Sequence, residues 1–139
     1  DGEIDRSELG KIIFSDATAK KRLEELIHPV VIQAIKDIIA SHRLDPEPLM
    51  VFEIPLLFEI EQESLFDEIW VVSVGDELQL NRLIERNHFP IIEAQRRVDA
   101  QLPLAVKRGK ADVVIYNDGG IRNTRDQVLE LLKRFGVKV

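Results

Sequence analysis

The sequence contains no cysteine. Disulfides, thiolate metal sites and cysteine nucleophiles are thereby excluded together, and a reducing, cytoplasmic setting becomes the default expectation. No apolar run approaches the ~18 residues that a spanning helix needs and no signal-like segment opens the chain, so no membrane partner is expected. Basic residues are in the minority: 19 Lys and Arg stand against 25 Asp and Glu, for a net charge of −6. Such a chain repels polyanions, and nucleic acid is not an expected partner. Metal-ligand clusters and nucleophile–histidine constellations are also missing, so no protein metal site is expected. The Gly-rich phosphate loop, Gly-x-x-x-x-Gly-Lys-Ser/Thr, does not occur.

What remains is 139 residues with 45% hydrophobic content, enough for one domain with its own core and too few for two. Charge is unevenly spread. Glu53 to Glu77 holds eight acidic residues and no Lys or Arg, whereas Arg82 to Lys110 holds seven basic residues against three acidic. One cationic segment in an acidic protein suggests a focused site for a small anion such as phosphate, the alternative being a solvated helix surface.

Helical and strand periods alternate along the chain. Asp16 can cap a helix in which Ala19, Leu23, Leu26 and Ile27 form a stripe, and Pro29 is expected to make His28-Pro29 a corner into a second helix reaching His42. Asp45 to Pro48 should turn the chain into a strand, Leu49–Ile54. With Ile69–Val74 and Val113–Tyr116 it reads as a parallel-sheet strand buried on both faces, since helical patterns lie between the last two. Asp76 and Gln79 suggest a capping box for the helix bearing Leu80, Leu83 and Ile84, Pro90 opens another helix to about Gln101, and TRDQVLELLKRF makes the last.

Candidate chemistry gathers at the expected carboxyl ends of the strands. Arg82 and Arg86 share a helix face; Arg97 and Gln101 make a second such pair, and Lys107-Arg108 follow Pro103. Guanidinium groups on one side of a crevice hold phosphate oxygens and neutralise charge as a phosphoryl group moves, although each can equally be a surface charge. Glu53, at a strand end, can face a magnesium ion or an arginine, or act as an ordinary cap. Leu56, Leu57 and Phe58 fit an apolar ligand wall or plain core. His28 fits a ligand contact or a packing residue, and Asn117 with Gly119 forms a turn at the same sheet edge.

Taken in order, these segments resemble the dephospho-coenzyme A kinase family. DGEIDRSELGKIIFSD is similar to its Asp-Gly, Ile-Asp-Arg, Leu-Gly and Phe-x-Asp pattern. RLEELIHPVV resembles its His-Pro helix corner, EIPLLFE its strand-end segment, Ala94 to Gln101 (A-x-x-R-V-x-x-Q) its mobile lid, and ADVVIYNDG its last strand and turn. The resemblance implies an α/β, parallel-sheet, P-loop kinase-like three-layer fold. It would comprise a helical acceptor-binding region (1–46), a sheet core (47–86 and 111–139) and a helical lid (87–110), within one kinase-like domain.

The implied reaction is phosphorylation of the 3′-hydroxyl of dephospho-coenzyme A, with ATP as donor and Mg²⁺. The implied site places Arg97 on the transferring phosphates, supported by Arg86 and Lys107; His28, Pro29, Phe58 and Glu59 border the acceptor, and Asn117 lies near adenine. Glu53 stands where the family more often has Asp, Phe89 to Ile92 is apolar where the lid usually opens polar, and Asn87 replaces a usual Asp. Family members begin with a strand, a phosphate loop and an acceptor-binding segment supplying a candidate base. These N-terminal strands are absent before Asp1, so the sequence is expected to be the C-terminal two-thirds of a longer enzyme. A non-catalytic nucleotide-binding or interaction module, and another nucleotide kinase, are the competing expectations.

Overall fold

The computed structural model describes residues 3–42 and 49–137. Asp1-Gly2 and the expected turn at Asp45–Pro48 lie outside the described residues. The chain divides into two compact units, Asp1–Pro46 and Glu47–Val139.

The first unit holds two packed helices, α1 (Arg6–Ser15) and α2 (Ala17–His42). Acceptor side chains start both. Asp5 Oδ1 takes the Glu8 N–H at 3.0 Å, and Asp16 Oδ1 takes those of Thr18 at 2.8 Å and Ala19 at 3.1 Å, satisfying donors that have no partner inside the helix. The expected corner at His28-Pro29 is not there, because α2 runs through Pro29 without a break. Proline deletes one ladder bond and crowds the preceding turn, a cost of about 3 kcal/mol. The length of the helix, the strong helix formers before Pro29 and packing on α1 hold the remaining ladder together. Of the apolar residues along α2 only Ile35 is buried, while Leu26, Ile27, Val31 and Ile38 are exposed.

The second unit is built on a parallel pair of strands, β1 (Trp70–Ser73) and β2 (Val113–Tyr116), in register Trp70↔Val113 to Ser73↔Tyr116. A parallel pair needs a long crossover. Here it consists of α3 (Asp76–Asn87), α4 (Ile91–Asp99) and α5 (Leu104–Lys110), and α6 (Ile121–Leu132) follows β2. Helix α3 packs on α4, α5 on β1, and α6 on β2. Pro90 and Pro103 occupy the N-caps of α4 and α5, where a missing N–H costs nothing.

Three expectations change. Asp76 and Gln79 form no capping box; Gly75 is the N-cap, and its N–H donates to Asp118 Oδ1 at 2.7 Å across the sheet edge. Leu49–Ile54 carries no strand assignment, and its apolar character does not replace the partner backbone that a ladder requires. Strand β1 is covered on one face only: Val71 and Ser73 are buried, Val72 exposed. The core of this unit is therefore one-sided, made of Leu57, Phe58, Val71, Ala94 and Ile115.

The outer edge of β2 is capped at Tyr116 by a side chain. Gln127 accepts the Tyr116 N–H through Oε1 at 2.9 Å and donates from Nε2 to the Tyr116 carbonyl at 2.8 Å. A primary amide thus reproduces the two bonds of a neighbouring strand, which satisfies an edge that would otherwise present unpaired groups.

Candidate active site

Both strands end at one place, and the residues just beyond them are tied together. The Asn117 N–H donates to the Ser73 carbonyl at 2.7 Å, Asp118 holds Gly75, and the Thr124 hydroxyl donates to Asn117 Oδ1 at 3.0 Å. Two arginines converge on this edge. Arg82 Nη1 reaches the Asn117 carbonyl at 2.8 Å, and Arg108 Nη1 reaches Oγ of Ser73, a side chain only 1% exposed, at 3.1 Å. The carboxyl edge of a parallel sheet is where such folds bind ligands, and here it carries fixed positive charge. The turn role of Asn117 was legible in sequence; the Arg108–Ser73 contact, 35 residues apart, was not.

Arg97 lies on α4, half-buried and already engaged. Its Nη2 and Nε sit 2.8 and 3.2 Å from Glu93 Oε1, and its guanidinium stacks 4.1 Å from the centre of the Phe89 ring. The i,i+4 spacing of Glu93 and Arg97 advertises the ion pair in the sequence; the stacking on Phe89 needs the turn at His88, held at φ 55°. Arg86, four residues beyond Arg82, is exposed and donates to the adjacent Asn87 Oδ1 at 2.9 Å. Glu53 is exposed and makes no hydrogen bond or ion pair with another described residue. His28, half-buried, and Pro29, exposed, are consecutive on α2 in the first unit.

Glu59 and Lys107 are brought together. Lys107, 6% exposed, places Nζ 2.7 Å from Glu59 Oε1, 3.1 Å from the Pro55 carbonyl and 3.4 Å from Gln101 Oε1. The Leu102 N–H also donates to Glu59 Oε1, at 2.9 Å. Burial is the largest single influence on the Glu59 carboxyl and pushes its pKa up. The Lys107 ammonium, the Leu102 N–H and the residue's own N–H together outweigh burial and hold it below the usual carboxylate range. Beside it Lys110 pairs with Glu63 at 2.9 Å and lies 5.5 Å from the Phe58 ring centre. The Glu63 carboxyl is lowered by its own backbone N–H first and by Lys110 second.

A depressed carboxylate stabilises the folded state fully above its unfolded pKa, and that contribution is lost as pH falls through the folded value. For Glu59 the window opens below the ordinary value of 4.5. Thermal midpoints measured from pH 7 downward should fall more steeply below about pH 4.5 in the wild type than in Glu59→Gln, which has no proton to take up there. Parallel curves would show that Glu59 contributes nothing to acid sensitivity.

Among the described residues no group of three or more His, Asp or Glu stands together in a metal-binding cluster. Magnesium in phosphoryl transfer is held mainly by phosphate oxygens and water with one or two carboxylates. The single exposed carboxylate of Glu53 fits that kind of ion and not a closed protein cage. No helix of the described residues is long and apolar enough to cross a membrane.

A parallel strand pair with a helical crossover, arginines at its carboxyl edge and an arginine-bearing helical segment between the strands makes this an α/β protein with a cationic sheet edge suited to an anion such as phosphate. The family model described as dephospho-CoA kinase matches residues 1–123, and this chain belongs to that family. It is 45% identical over 135 residues to the dephospho-CoA kinase of Carboxydothermus hydrogenoformans, covering 97% of this chain and 66% of the relative. It is 40% identical over 134 residues to that of Shouchella clausii, covering 96% and 68%. Two solved structures share the fold at 29% identity over 96% of this chain. The TT1252 protein of Thermus thermophilus has a TM-score of 0.74 with 68% of its chain covered, and the dephospho-CoA kinase of Campylobacter jejuni has 0.65 with 66% covered. The chain thus spans about two thirds of the length of the curated relatives it matches.

Proposed function

We propose that this chain supplies the acceptor-binding helices, the lid and part of the sheet of a dephospho-CoA kinase acting in the last step of coenzyme A synthesis. The 3′-hydroxyl oxygen of dephospho-CoA attacks the γ-phosphorus of ATP, the bond to the β,γ-bridging oxygen breaks, and ADP leaves as the hydroxyl proton passes to a base. Magnesium, when bound, neutralises phosphate charge, and Glu53 is the residue of this chain suited to face it or its waters. Arg97 stabilises charge on the transferring group, with Arg86 as a second cation. His28 and Pro29 border the acceptor, and Asn117 borders the adenine of ATP. The reading carries a cytoplasmic setting, where ATP is available.

One observation carries the reading: a family match over 123 residues coincides with a sheet edge at which Arg82 and Arg108 converge. The test uses the complete protein that contains this chain, given ATP, magnesium and either dephospho-CoA or adenylate. Stoichiometric formation of CoA and ADP, with adenylate a poor acceptor, is expected. Preference for adenylate would make it another nucleotide kinase, and binding of dephospho-CoA without ATP binding or turnover would make it a non-catalytic module.

A further inference from the structure

We propose that Glu59 and Lys107 are positioning residues: a buried ion pair that pins the corner between α4 and α5 to the Pro55–Glu59 segment and thereby sets the place from which Arg97 acts. The proposal rests on the kinase reading above, and on the placement of Arg97 within it. The family resemblance puts both residues beside ligand, Glu59 at the acceptor and Lys107 at the phosphates. Their surroundings point elsewhere.

An ammonium has three N–H donors. Those of Lys107 have three internal acceptors, Glu59 Oε1, the Pro55 carbonyl and Gln101 Oε1, the last the most distant. Nothing in that arrangement leaves a donor for a ligand phosphate. Glu59 Oε1 takes two donors, Lys107 Nζ and the Leu102 N–H, while its Oε2 is buried without a hydrogen-bond partner. A carboxylate with one oxygen already engaged by two donors and the other sealed from solvent is poorly placed to receive a substrate group.

The same contacts join three stretches that are distant in sequence. Leu102 belongs to the corner after α4, Lys107 lies within α5, and Pro55 and Glu59 flank the buried Leu57 and Phe58. Helix α4 is anchored at this corner, and Arg97 sits one turn before Gln101. A rigid helix transmits the position of its anchored end, so loosening the corner displaces Arg97 without touching it. A misplacement of about 1 Å is enough to cost one to two orders of magnitude in rate.

The pair also has a thermodynamic signature that a ligand contact lacks. Removing one partner strands a buried charge, whereas removing both leaves an apolar contact that is close to neutral. Glu59→Met, Lys107→Met and the double variant, made in the complete protein, test this. Each single variant should lower kcat about 10-fold or more and shift KM for dephospho-CoA by less than about threefold. The double variant should exceed the slower single in both kcat and Tm. Hydrogen exchange at the Leu102 amide should quicken about 10-fold or more in Lys107→Met, while exchange in β2 stays unchanged.

A rise in KM for dephospho-CoA of about 10-fold or more with kcat intact would overturn the proposal in favour of direct contact, as would strictly additive effects in the double variant. Where a single variant does not fold, the comparison passes to the double variant against wild type. Wild-type kcat together with unchanged Leu102 exchange there would equally overturn the pinning role, and reduced kcat with faster exchange sustains it. Absence of kinase activity in the wild type removes the kinase reading, and the Tm cycle and Leu102 exchange still report separately whether the pin exists.

Discussion

Arg97→Ala in the complete protein is expected to lower kcat about 10³-fold, because a guanidinium facing a migrating phosphoryl group acts mainly on transition-state charge. The competing explanation is that alanine merely damages the fold, and magnitudes separate the two. Arg97 contributes an i,i+4 ion pair to Glu93, whose side chain is 42% exposed, and a stacking contact on Phe89. Exposed pairs are worth about 0.3–0.5 kcal/mol and such stacking about 0.5–1 kcal/mol, so the stability loss stays near 1 kcal/mol. A loss of about 10³-fold in rate corresponds to about 4 kcal/mol. Kinetics and a melting curve on the same variant therefore distinguish them. Arg97→Lys should recover only part of the rate, since it keeps the charge and loses the planar fork. Normal kcat with a raised KM for ATP would reduce Arg97 to ground-state binding.

Phe58→Ala should destabilise the protein by about 3–5 kcal/mol, the usual cost of deleting a buried aromatic ring, and Phe58→Leu by much less. The ring is buried beside Leu57 and under Lys110. That burial favours the core reading of Leu-Leu-Phe over the apolar ligand wall. Denaturant midpoints at constant m value measure it. A variant of full stability with a large KM defect for dephospho-CoA would return Phe58 to the acceptor pocket.

Arg97 stands in a cationic segment, at helical spacing from Glu93, so both its charge and its pairing are local facts that the sequence displays. The start of α4, the Asp16 cap and both strands of the parallel pair are local in the same sense. The corner expected at Pro29 fails because a local rule, proline as a breaker, loses to a helix long enough to tolerate one missing bond. The strand expected at Leu49–Ile54 fails because apolar content signals burial and cannot by itself supply a hydrogen-bonding neighbour. The capping box at Asp76 fails for a related reason: an aspartate 43 residues away from Gly75 takes over the start of α3.

By itself the sequence determined the two strands of the parallel pair and most of the helices around them, where the positive charge gathers, and which family the motifs resemble, since these follow from side-chain chemistry and spacings of a few residues. Only the tertiary structure decided that Glu59 meets Lys107, that Arg108 meets Ser73, and that a glutamine side chain caps β2 at Tyr116. Such pairings depend on the path of the backbone through space. A lysine and a glutamate separated by dozens of residues carry no mark of each other until folding removes both from water and leaves each the other's best available partner.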